Sequence, residues 1–156
     1  MSSAATVQQQ KPAAFWIYAG FIGAEIIGFV GISSPFVSVT ALVLFLVVGV
    51  WAYFERGRDG ILDTHYRFQI RTFWINVAAA VVLPLFFLFA VLGGVGSFLM
   101  MGQNDPTSLV FSVLAGTVLP MLIGLGVSIW TIVRSVAGLS RLQDGKPIDN
   151  PTTWTV

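Results

Sequence analysis

The chain contains no cysteine among its 156 residues and has little charge of either sign. The absence of cysteine excludes a disulfide framework, a thiolate metal site and a cysteine nucleophile. Only 10% of the residues are charged, whereas a soluble domain typically has about 25%. Because the basic residues flank apolar runs and the net charge is +1, we expect no nucleic-acid partner.

Apolar runs are what the chain has in abundance, since 56% of its residues are hydrophobic. A spanning helix needs about 20 mostly apolar residues, and only helices satisfy every backbone group in hydrocarbon at this length. The sequence therefore predicts an all-α membrane protein with four transmembrane helices in two hairpins. The third run is the longest, so it should tilt, kink near Pro84 or break near Gly93-Gly94. The predicted spans are about 13–32, 35–54, 72–101 and 108–133.

The predicted domains follow from these spans. Residues 1–12 are predicted to form a flexible tail, 13–142 the transmembrane domain, and 143–156 a cytoplasmic tail with Trp154 as its interfacial anchor. The fourth helix is expected to continue past the membrane to Leu142, with Gly145 supplying a left-handed stop. The tail is either a simple anchor or a docking motif for another protein.

Every basic residue falls on one side of the four runs. The segments on that side are the N-terminal tail, the loop from Glu55 to Arg71 and the C-terminal tail, and all the Trp and Tyr residues cluster there too. Since Lys and Arg are enriched in cytoplasmic loops, both termini are predicted to be cytoplasmic. The eight basic residues are Lys11, Arg56, Arg58, Arg67, Arg71, Arg134, Arg141 and Lys146.

The loop that enters the third span carries the most distinctive polar pattern. His65, Gln69, Thr72 and Asn76 recur at helical spacing and form one stripe that reaches into the membrane, with Asp63 or Thr64 as the expected N-cap. The stripe indicates either hydrogen bonds between helices or a proton path. A single histidine without cysteine or paired carboxylates is a poor metal ligand set. We therefore expect no metal and no cofactor.

The arginines of the cytoplasmic side allow two interpretations. They snorkel to lipid phosphates of an anionic leaflet, or they pair with carboxylates such as Asp59, Asp63 or Asp149 and so stabilise a cytoplasmic cap. The arginines assigned to these headgroup or cap contacts are Arg56, Arg58, Arg67, Arg71, Arg134 and Arg141.

Glu25 is the acidic residue that interrupts the first span. It lies about 12 residues into that span, roughly 18 Å at 1.5 Å per residue, which is at or beyond mid-bilayer. An ionised carboxylate is costly there, so the side chain should face the bundle interior, be protonated or contact water. It is either an ion, proton or partner-subunit site, or a protonated structural residue. Its expected hydroxyl partners are Ser38, Thr40, Ser112 and Thr117.

Small residues recur at four-residue or eight-residue intervals on two of the predicted helices, a spacing that permits close approach of helices. These stripes indicate packing within the bundle or a dimer face. They comprise Gly20, Ala24 and Gly28 on the first helix, and Gly116, Gly124 and Ser128 on the fourth.

The segment from His65 to Trp74 reads HYRFQIRTFW, and the C-terminal part contains Gly145-Lys146-Pro147-Ile148 and Asn150-Pro151-Thr152. Over roughly the last 100 residues the chain resembles a group of small proteobacterial inner-membrane proteins. That group is distantly similar to the four-helix family of the chloroplast inner-envelope protein-import translocon. The resemblance implies a four-helix protein of the bacterial inner membrane with an assembly or translocation role. It implies no catalytic residue and no cofactor, and it does not cover Glu25.

Two functions are consistent with these features, and a third is disfavoured. The first is a non-enzymatic accessory or assembly subunit of a larger inner-membrane complex, with other membrane subunits or further copies of itself as partners. The second is a homo-oligomeric channel or transporter component whose polar path uses Glu25 and the His65 stripe. An enzyme is disfavoured, because His65 and Glu25 are predicted at different depths and so cannot cooperate as an acid–base pair.

Overall fold

The computed structural model describes residues 3–31, 34–57, 60–100 and 107–150, and these residues form helices and no strand. Each helix contains a segment long and apolar enough to cross a membrane. The prediction of an all-α chain with four such helices is confirmed. Their bounds are Ser3–Val30 (α1), Pro35–Glu55 (α2), Gly60–Met100 (α3) and Thr107–Gln143 (α4).

Several helix ends differ from the predicted spans. Helix α1 begins at Ser3, inside the segment predicted as a flexible tail. Helix α3 has 41 residues, contains Pro84 and is not interrupted at Gly93-Gly94. The expectation of an N-cap at Asp63 or Thr64 is wrong, because α3 already begins at Gly60. The predictions for three residues fall outside the described ones: Arg58, Asp59 and Trp154. The side chain of Lys11 is also outside what the structure describes.

The local sequence explains where α2 begins and where α4 ends. Pro35 occupies the first turn of α2, where a missing N–H is not needed, and extended Ser34 precedes it. At the end of α4, Gly145 has a φ of +68°. Its N–H donates to the Leu142 carbonyl and the Lys146 N–H donates to the Arg141 carbonyl, the two bonds of a Schellman motif. The predicted left-handed stop at Gly145 is therefore confirmed.

The chain divides into two compact units, Met1–Ile75 with Trp130–Val156, and Asn76–Ile129. In the first unit, α1 packs on α2 through small residues and aromatic rings. The Phe21 and Phe45 rings lie 5.1 Å apart edge to face, and Phe45 stacks on Phe73 at 5.5 Å. A Cβ atom placed on Gly20 would lie 2.5 Å from Val48, so the two helices approach closely there.

The second unit, Asn76–Ile129, comprises the later part of α3 and the earlier part of α4. Glycines line the contact between them, with Gly94 against Ser112 and Gly116 against Ala90. Gly94 and Gly116 are the only buried residues of this unit among those whose burial the structure describes. Large apolar side chains therefore cover its outer surface, as expected where the surrounding solvent is hydrocarbon or another apolar helix.

Candidate functional site

A group of polar side chains is buried in the first unit, and we call it the polar cluster. His65, Gln69 and Thr72 contribute one face of α3, and Thr131, Arg134 and Ser135 contribute one face of α4. Tyr18 of α1 is 1% exposed and completes the cluster. Helical spacing explains the arrangement, because side chains three and four residues apart lie on the same side of a helix.

His65 joins three parts of the chain. The Tyr18 hydroxyl lies 3.1 Å from Nδ1 of His65, and the Lys146 carbonyl lies 3.0 Å from Nε2. A carbonyl only accepts hydrogen bonds, so Nε2 carries the proton and donates to it. In the neutral ring Nδ1 is then an acceptor, and the Tyr18 hydroxyl donates to it. The neutral imidazole thus satisfies both contacts at once.

The segment that follows α4, Asp144–Asn150, folds back on the beginning of α3, and we call it the strap. Besides the bond from His65 to Lys146, the Ile148 N–H donates to the Thr64 hydroxyl at 3.1 Å. The Ile148 side chain is 5% exposed, so it anchors the strap by apolar burial. Thr64, predicted as an N-cap, therefore contributes a side-chain contact from within the first turns of α3.

Gln69 and Thr72 hold α3 to its neighbours. The Gln69 side-chain N–H donates to the Ala14 carbonyl of α1 at 3.2 Å. Its Oε1 atom is buried and accepts no hydrogen bond from the residues that the structure describes. The Thr72 hydroxyl donates to the Phe68 carbonyl at 2.9 Å. The side chains of His65, Gln69 and Thr72 are at most 2% exposed, so the stripe lies in the interior of the first unit.

Arg134 is the centre of the α4 side of the cluster. Its Nε–H donates to the Thr72 hydroxyl at 2.9 Å, and its guanidinium carbon lies 3.6 Å from the centroid of the Phe68 ring. The Trp130 ring is 5.1 Å away. At 1% exposure, this side chain belongs to the polar cluster and is not available to lipid headgroups. The sequence feature that indicates this burial is a polar face on α4: Thr131 and Ser135 lie one turn apart, and Arg134 is on the same side of the helix.

Outside the polar cluster, three basic residues pair with nearby carboxylates. Arg67 contacts Asp63 at 2.7 Å, Arg141 contacts Asp149 at 3.0 Å, and Lys146 contacts Asp144 at 3.1 Å. For Arg67 and Arg141 the structure therefore contains the carboxylate pairing that was one of the two predicted roles. Arg56 is exposed beside the end of α2, and Arg71 is half-buried on α3.

The remaining predicted site residues lie outside the polar cluster. Glu25 is half-buried on α1, and Asn76 is half-buried in the second unit. Three of the hydroxyls named as expected partners of Glu25 donate to backbone carbonyls: Ser38 to Gly31, Thr40 to Phe36, and Thr117 to Val113. Ser112, also expected there, packs on Gly94.

The small-residue stripes line contacts between helices. Gly20 faces Val48 and Gly28 faces Ala41, both on α2, and Ala24 is buried between them. On α4, Gly116 faces Ala90 and Gly124 faces Leu83, both on α3, whereas Ser128 is half-buried.

The polar cluster has the chemistry of an interhelical clamp. It consists of neutral donors and acceptors around one guanidinium, and the contacts described above join helices to one another and to the strap. Among the described residues, no group of three or more His, Cys, Asp or Glu side chains could hold a metal ion. Comparison of the chain with protein-family models, with curated proteins and with solved structures finds no match.

Proposed function

We propose that the protein is a non-enzymatic accessory or assembly subunit of a larger complex in the bacterial inner membrane. In this proposal its four helices cross the bilayer as two hairpins, and both termini are cytoplasmic. The orientation is supported by the basic residues, which all flank the same side of the apolar runs. The resemblance of the segment from His65 to Trp74 to small inner-membrane proteins supports the compartment.

The observation that carries the proposal is the contrast between the two units. In the first unit, buried polar side chains bind the helices to one another. In the second unit, Gly94 and Gly116 are the only buried residues among those whose burial the structure describes. Large apolar side chains such as those of Phe89, Phe111 and Met121 are exposed. A chain that combines a hydrogen-bonded polar cluster in one unit with an apolar helix pair in the other is suited to contact with the transmembrane helices of other subunits.

Exposed glycines give this apolar surface places for a close approach. In membranes, helices associate by van der Waals packing, and small residues allow their backbones to come near each other. Gly93 on α3 and Gly126 on α4 are exposed, and no atom lies within 4 Å of the position that a Cβ would take on either. We expect partner helices to pack over these positions.

The test is affinity purification of the tagged full-length chain from its own membranes in a mild detergent, followed by mass spectrometry. We expect a defined set of membrane proteins that is lost in Gly126→Leu. The matched control is Gly23→Leu on α1, where the Cβ position is equally open, and it should retain the set. A chain that runs alone as a monomer contradicts the proposal. An assembly of identical copies only would favour the channel alternative, which flux measurements on Glu25→Gln would then examine.

A further inference from the structure

The strap is hydrogen-bonded to a buried histidine whose two ring nitrogens are bonded in the pattern of the neutral ring. The Nε2–H bond to the strap is available to the charged ring as well, so the cost of a second proton comes from burial of the charge and from the contact with Tyr18. His65 donates from Nε2 to the Lys146 carbonyl of the strap and accepts at Nδ1 from the Tyr18 hydroxyl of α1. Tyr18 is itself packed on α4, because a Cβ atom on Gly138 would lie 2.5 Å from its hydroxyl oxygen. His65 therefore links α1, α3 and the strap in a site with less than 2% exposure at either ring.

A second proton on His65 disrupts this arrangement. The imidazolium is a donor at both nitrogens, so Nδ1–H would face the hydroxyl group that now donates to it. The Tyr18 oxygen would have to accept instead, and its own proton would have to turn toward the backbone of Gly138. A buried donor that loses its acceptor destabilises the closed state, and so does a buried charge.

We propose that the strap, Asp144–Asn150, is a pH-responsive latch that neutral His65 holds closed on α3 and that opens when His65 takes up a proton. This inference goes beyond the proposed function and does not rest on it. Opening would remove Ile148 from its buried position and leave Thr64 and His65 accessible at the beginning of α3. The Schellman motif at Gly145 supplies the point from which the strap departs.

The charges around the ring favour opening on protonation. The ring is buried, which disfavours the charged imidazolium, and the positive charge of Arg141 on α4 opposes that charge as well. The carboxylates of Asp63, Asp149 and Asp144 pair with Arg67, Arg141 and Lys146 respectively. The elements that meet at the ring carry these titratable and charged groups: Tyr18 on α1, Asp63 with Arg67 on α3, Arg134 and Arg141 on α4, and Asp144, Lys146 and Asp149 on the strap.

The absence of native cysteine makes the opening measurable with one introduced thiol. The full-length chain with Ile148→Cys is reconstituted in nanodiscs, and its labelling rate with a water-soluble maleimide is measured from pH 7.5 to pH 5.0. The same chain with Gln143→Cys, an exposed position at the end of α4, corrects for the pH dependence of the thiol itself. The ratio of the two rates reports the open fraction of the strap.

We expect this ratio to be constant at the upper end of the range and to rise on acidification. The pKa of a solvated histidine is about 6.5, so the open state binds the proton below that pH while the closed state excludes it. The ratio then rises by up to about tenfold for each pH unit below about 6.5. In His65→Gln, whose amide can still donate to the Lys146 carbonyl but does not titrate, we expect the ratio to stay flat.

Two results would overturn the latch. One is a ratio that changes less than twofold between pH 7.5 and pH 5.0 in the chain that retains His65, a measurement that needs no change at the histidine. The other is an equal rise in His65→Gln, which would assign the opening to a different group. Loss of the partner set in the purification experiment would leave both measurements unaffected, so the two proposals fail separately.

Discussion

Replacing Arg134 by lysine tests whether the shape of the guanidinium, and not only its charge, holds the cap together. The planar group makes two contacts that an ammonium cannot reproduce together: the Nε–H bond to Thr72 at 2.9 Å and the stacking over Phe68 at 3.6 Å. A hydrogen bond from a charged donor contributes about 1.5–3 kcal/mol, and a desolvated cation–π contact contributes about 2 kcal/mol. Lysine keeps part of the second contribution. We expect Arg134→Lys to lower the free energy of unfolding by about 2 kcal/mol.

The assay is reversible unfolding in mixed micelles, followed by tryptophan fluorescence. Arg56→Lys is the matched control, since Arg56 is exposed and such surface changes usually stay within about 0.5 kcal/mol. A double-mutant cycle with Thr72→Val isolates the hydrogen bond, and we expect the two changes to be non-additive by about 1 kcal/mol. If Arg134→Lys behaves like Arg56→Lys, or if the cycle is additive, the structural role assigned to the guanidinium is incorrect.

Two further predictions concern packing and surface charge. Gly138→Ala places a Cβ atom 2.5 to 2.7 Å from the Tyr18 ring and hydroxyl, so it should cost about 1–3 kcal/mol of unfolding free energy. Gly126→Ala, whose Cβ atom would enter open space, should be neutral or stabilising by up to about 1 kcal/mol. Equal changes in unfolding free energy for Gly138→Ala and Gly126→Ala in the same micelle titration would contradict this account. Arg67→Ala breaks the ion pair with Asp63 but should cost less than about 1 kcal/mol, an effect that decreases with added salt because the arginine is largely exposed. A large, salt-independent loss of unfolding free energy would contradict this prediction, because it would show that the ion pair contributes more to stability than an exposed pair does.

The features that sequence reasoning predicted are those that depend on local chain properties. Long apolar runs predict spanning helices because hydrocarbon leaves the backbone no other way to satisfy its polar groups. Pro35 and Gly145 mark helix ends through their own restricted or permissive backbones. Helical spacing predicts that His65, Gln69 and Thr72 share one face of α3, and all three side chains are buried.

The features that it missed depend on residues far apart in the chain. The strap contacts join positions 81 and 84 residues apart, and no local pattern indicates that Lys146 would meet His65. Arg134 was grouped with the arginines predicted to contact lipid headgroups or cap carboxylates. At the end of an apolar run, a buried arginine and a snorkelling arginine have the same sequence surroundings.

The ion pairs of the cap affect insertion and the folded state differently. Arg67, Arg141 and Lys146 each pair with a carboxylate no more than eight residues away in the chain. Acidic residues contribute little to the orientation that basic residues impose during insertion, so these neighbours leave that signal intact. After folding they neutralise three positive charges at the surface, each of which would otherwise attract anionic lipid by about 1 kcal/mol. In the orientation proposed above, the folded protein would therefore be less tightly held to charged headgroups than its number of basic residues indicates.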